Sequence, residues 1–167
     1  MNIRSALARY FSDVRQTRTQ TYLFIIALWN LIVGIQGTLT LPTAFSFGVG
    51  CHMASSTVQA FGGIPLTGNG WHGLLHLLPA VAGFVTIRKS KRAALLYGLI
   101  TGTLFLVVSA LGFWGGDNVL GIIAVDTSGN FVHLADGLAA LLPVAIALTA
   151  KHQLAGEPSA SLHPAQA

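Results

Sequence analysis

Four apolar stretches, each about as long as a bilayer is thick, limit what this chain can fold into more than any other feature. They are "YLFIIALWNLIVGIQGTLTL" (22–41), "WHGLLHLLPAVAGFVTI" (71–87), "AALLYGLITGTLFLVVSALGFW" (93–114) and "FVHLADGLAALLPVAIALTA" (131–150). A hydrocarbon core about 30 Å thick takes about 20 residues at a rise of 1.5 Å each, so every stretch is long enough to cross. Lipid offers the backbone no hydrogen bonds, which makes each stretch a helix. Composition agrees. Charged residues make up 8% of the chain, against about 25% in soluble domains, too few to cover a water-exposed surface. The expected fold is all-α, a four-transmembrane-helix bundle.

The basic residues set the expected orientation. Arg4, Arg9, Arg15 and Arg18 precede the first stretch, Arg88, Lys89, Lys91 and Arg92 fill the link between the second and third, and Lys151 follows the fourth. Loops 42–70 and 115–130 contain no Lys or Arg. The positive-inside rule then places both termini and the 88–92 link in the cytoplasm, N-in and C-in. The net charge of +4 is read as anchoring beside an anionic leaflet, not as a nucleic-acid footprint, because no basic patch with interleaved aromatics is present.

Three parts are expected: a cytoplasmic basic segment 1–20, a membrane domain 21–150 and a disordered cytoplasmic tail 151–167. In the first, Ile3, Leu7, Tyr10, Phe11 and Val14 share a helical face, as in a helix lying in the membrane interface. The first stretch reads as a retained anchor. Its apolar run exceeds that of a signal peptide, and "PTA" at 42–44 is a poor cleavage site. Hairpins 22–87 and 93–150 read as two copies of one plan, each ending in a span with histidine near its start and "LLP" further on (77–79 and 141–143). Gly98 and Gly102 form a close-packing pair, and Asn30, Gly34 and Thr38 line one face of the first span. A short helix is expected around Ser55 to Phe61.

Titratable groups recur at the outer end of the second and fourth spans. His72 and His76, four residues apart, lie about 40° apart on a helix and roughly 6 Å along it. His133 and Asp136 occupy the corresponding place on the fourth span. Facing one another, these residues supply three imidazoles and a carboxylate, a set suited to Zn, Cu or haem. Asp136 is either a ligand or the partner that orients His133. A carboxylate at that depth is costly unless partnered. Two other readings stay open: hydrogen-bonded polar groups that tie helices together, with Asn69 and Asn130 or Ser128 as helix caps, or a proton relay. "CHM" (51–53) combines soft ligands, but three adjacent residues wrap one ion poorly, and the lone Cys51 has no partner for an internal disulfide. No phosphate loop, H-E-x-x-H, G-x-S-x-G or C-x-x-C is present.

"WHGLLHLLPAVAG" resembles the H-N-x-x-H-L-L-x-G-x-A-G segment of a bacterial four-helix membrane family catalogued as a domain of unknown function. "DTSGNFVHLADGL" is similar to its N-T-x-D-N-x-x-H-L-x-x-G signature. His72, His76, Asn130 and His133 match, Gly73 stands where the family usually has Asn, and Asp136 is outside the pattern. The resemblance implies a four-helix fold and a bacterial inner membrane, without an activity. The leading expectation is a non-enzymatic structural or accessory subunit that meets lipid and other membrane proteins or further copies of itself. The alternatives are metal or haem binding by His72, His76, His133 and Asp136, and a small proton-coupled carrier acting as an oligomer.

Overall fold

A computed structural model describes residues 2–40, 45, 47–48, 55–60 and 62–156. The "CHM" trio, positions 42–44 and the tail beyond 156 lie outside the described residues. The element order is α1 (Ile3–Val14), α2 (Arg18–Thr40), β1 (Ser56–Ala60), β2 (Ile64–Gly68), α3 (Gly70–Thr86), a 3₁₀ turn (Ile87–Lys89), α4 (Lys91–Gly115), β3 (Asn118–Val119), β4 (Ile123–Ala124) and α5 (Thr127–Gly156). Helices α2 to α5 are each long and apolar enough to cross a membrane, and the fold is the expected all-α bundle with minor strands. Helix α5 continues to Gly156, so the first residues of the expected tail are helical.

Both halves repeat one order, helix, β-hairpin, helix. The closest helix pairings are α2 with α3 and α4 with α5. Small residues make these seams. A Cβ on Gly34 would lie 2.8 Å from the Leu77 amide, and one on Gly73 would lie 2.8 Å from the Thr38 amide. That second approach explains glycine at 73, since an asparagine there would force α2 and α3 apart. The expected pair Gly98 and Gly102 packs against α5, where a Cβ would meet the Ala140 and Gly137 carbonyls at 2.8 and 2.9 Å.

On α2, Ile25, Leu28, Ile32, Ile35 and Leu39 form an exposed stripe at helical spacing, the face such a helix turns to lipid. The basic segments gather at the opposite end from the strands. Tyr10 on α1 donates its hydroxyl to the Phe84 carbonyl at 2.9 Å, Arg88 lies 5.8 Å over the Tyr10 ring, and Gln20 donates to the Ile87 carbonyl at 2.9 Å. Burial raises the Tyr10 phenol above its ordinary range against the opposing pull of Arg88, which keeps its proton available for that bond.

The helix expected around Ser55 to Phe61 is replaced by strand β1, paired antiparallel with β2 from Ser56↔Gly68 to Ala60↔Ile64. The β-branched Thr57 and Val58 favour the strand, and Gly62 and Gly63 supply the positive φ that closes the turn. The expected cap of α5 also changes. Asp126, not Asn130 or Ser128, caps the helix, accepting from the Gly129 amide at 2.6 Å with Oδ1. Its Oδ2 accepts from the Thr67 amide at 2.6 Å, so one carboxylate fastens the first hairpin to α5. Asn69 does the reciprocal work. Its Oδ1 caps α3 at the His72 amide (3.1 Å) and its Nδ2 donates to the Ile122 carbonyl in the second loop (2.8 Å). We expect Asp126→Ala to lower stability by about 1–2 kcal/mol through the lost cap. Asp126→Asn, which keeps one acceptor, should lose less in a thermal melt in detergent.

Candidate functional site

The Asn69 cap starts α3 so that His72 and His76, one turn apart, point into the bundle. Helix α5 brings His133 to the same depth. The His133 and His72 Nε2 atoms lie 3.2 Å apart, and one ring nitrogen from each of His72, His76 and His133 lies within 4.8 Å of the others. The His72 and His76 rings stack at 5.4 Å and 15°, and both face the His133 ring at 4.9 and 5.5 Å. Phe105 on α4 packs against the His76 and His133 rings at 4.9 and 5.7 Å. His76 and His133 are each 1% exposed.

Two tautomers follow from the partners. His72 Nδ1 faces the Ala124 carbonyl at 2.9 Å, which only accepts, so that nitrogen carries the proton. His76 Nδ1 lies 3.0 Å from Asn30 Oδ1. The Asn30 amide nitrogen is already committed to the Ile26 carbonyl at 2.9 Å, so the oxygen faces His76 and accepts its Nδ1–H. Both imidazoles therefore keep Nε2 unprotonated, and that of His72 lies 3.2 Å from His133 Nε2. Asn30 is legible in the sequence only as a polar residue on a packing face, and the Ala124 carbonyl carries no sequence signal at all.

Asp136 does not join the three histidines. Three residues past His133 is about 60° short of a full turn, and that rotation turns the carboxylate toward α2. There Oδ1 accepts from Trp29 Nε1 at 3.0 Å, while Oδ2 is buried without a partner among the described residues. The expected four-group set is thus three imidazoles with a carboxylate to one side. Among the described residues His133 Nδ1 is also buried without a partner. Asn130 is neither cap nor ligand. Its carboxamide covers Gly112, whose missing side chain makes the space, and its backbone carbonyl accepts from Ser109 Oγ at 2.8 Å.

The three rings line one end of a cavity of about 400 Å³ bounded by α2, α5 and the β1–β2 hairpin. Such a volume is within the roughly 300–1,000 Å³ of small-molecule sites. Stacked rings leave no gap for a porphyrin between His72 and His76, so the donor set fits an ion better than haem.

No curated protein and no solved structure matches the chain. The family described as a domain of unknown function, DUF4383, matches residues 20–146, which takes in all three histidines and most of each apolar helix. The resemblance read from the two histidine segments therefore holds, and the chain belongs to that family.

Proposed function

We propose that this protein is a multi-pass membrane protein that binds one transition-metal ion, Zn²⁺ or copper, through the Nε2 atoms of His72, His76 and His133. The observation that carries the reading is the convergence of three imidazoles, those of His76 and His133 buried and that of His72 half-buried, with His72 and His76 held by their Nδ1 protons in the ligating tautomer. Metal-bound histidines characteristically donate their second nitrogen to a carbonyl or carboxylate. Tetrahedral Zn–N bonds of 2.0–2.1 Å place donors about 3.3 Å apart. The His72–His133 separation of 3.2 Å suits that geometry, and a ring nitrogen of His76 lies within 4.8 Å of both.

As a device for tying helices together the trio is poor. With His72 and His76 both donating from Nδ1, the three facing nitrogens share a single proton, on His133 Nε2. A cation in its place engages all three lone pairs. Three protein nitrogens would leave a fourth position for a further ligand, and all three histidines line the cavity. The basic residues around α1 and the 88–92 link support an orientation with that end in the cytoplasm and the histidines at the outer end.

Metal analysis of the full chain purified in mild detergent tests the reading. About one Zn or Cu per chain is expected, falling to background in His133→Ala with helical content unchanged. A protein that takes up neither ion on dialysis, or a Soret band in its visible spectrum, would overturn it.

A further inference from the structure

We infer that the cavity above the three histidines admits a single-chain amphiphile sideways from the bilayer, its anionic head on the ion and its acyl chain between α2 and α5. The inference rests on the metal site proposed above and adds the class of molecule that fills its fourth position. Ile32 carries the argument. It is 53% exposed and belongs to the outward stripe of α2 with Ile25, Leu28 and Ile35, yet it also lines the cavity. One side chain thus stands both on the exposed stripe of α2 and in the cavity wall, so among the described residues the cavity reaches the side of the bundle.

The walls suit a chain. Val33 on α2, Val58 and Leu66 on the hairpin, and Val132 on α5 line the space, while the histidines close its inner end. Strands β1 and β2 roof it, held down by the Thr67–Asp126 bond. Helices α2 and α5 touch far less than α2 and α3 do. An ion held by three neutral imidazoles keeps its full positive charge, and a carboxylate head offsets that charge in the apolar surroundings.

Cobalt-loaded full chain in mild detergent provides the test, with the Co²⁺ visible band as readout and azide, acetate and dodecanoate as probes. Azide and dodecanoate should both shift the band, and acetate should require a concentration at least about tenfold higher than dodecanoate, since it buries no chain. Leu66→Trp, which fills the cavity, should keep the azide shift and lose the dodecanoate shift. Val132→Trp serves as the second blocking variant if Leu66→Trp does not fold. An azide shift without a dodecanoate shift, or a dodecanoate shift indifferent to both tryptophans, overturns the chain pocket and leaves the metal site standing. Failure to bind Co²⁺ at all sinks the metal site, and this inference with it.

Discussion

At the proposed metal site, replacing Asn30 with leucine should lower affinity for Zn²⁺ by about 10- to 100-fold, the range for losing an outer partner of a metal-bound histidine. Asn30 is fully buried, and its amide bond to the Ile26 carbonyl leaves its oxygen aimed at His76 Nδ1. Without that acceptor, His76 is free to hold its proton on Nε2, which cannot then ligate. Leucine is a better helix former than asparagine and suits the apolar surroundings, so the loss should appear in binding and not in folding. Asn30→Asp restores an acceptor and should recover most of the affinity. Competition titration against a chelator, with circular dichroism as the folding control, reads both variants. Wild-type affinity in Asn30→Leu would remove Asn30 from the site.

The second large effect is on stability. Gly102→Val should destabilise the bundle by about 1–3 kcal/mol, the usual cost of overpacking a close seam. A Cβ at Gly102 would lie 2.6 Å from Leu141 Cγ and 2.9 Å from the Gly137 carbonyl. The leucine can rotate away, but the carbonyl belongs to the α5 backbone and moves only if the helices separate. Gly137 faces the reciprocal limit, 3.0 Å from the Gly102 carbonyl. His133 lies one turn up the same helix, so separation should also weaken metal binding. An unchanged melting midpoint in detergent would show that α4 and α5 tolerate a wider spacing.

The histidine trio is partly legible in the chain. Spacing of four places His72 and His76 on one face, and both segments descend from the same side, which brings His133 to their depth. The partners are not legible. Asn30 and the Ala124 carbonyl come from other elements, and only packing decides which atoms they meet. Asp136 shows the limit most clearly: its depth marks it as costly, yet a rotation of about 60° along α5 gives it to Trp29 instead of the histidines. The segment 55–61 misleads because its few residues carry helix and strand signals of similar strength, and the Gly62–Gly63 turn with its cross-strand pairing settles the matter.

Local patterning alone determined the four helices and the clustering of basic residues, because lipid penalises every unpaired backbone group and every stray charge within a single segment. Tertiary structure decided the rest: the tautomers of His72 and His76, the Asp126 fastening, the cavity beside the histidines. Each of these depends on the rotation of one helix against another, which small residues at the seams permit and no single segment encodes.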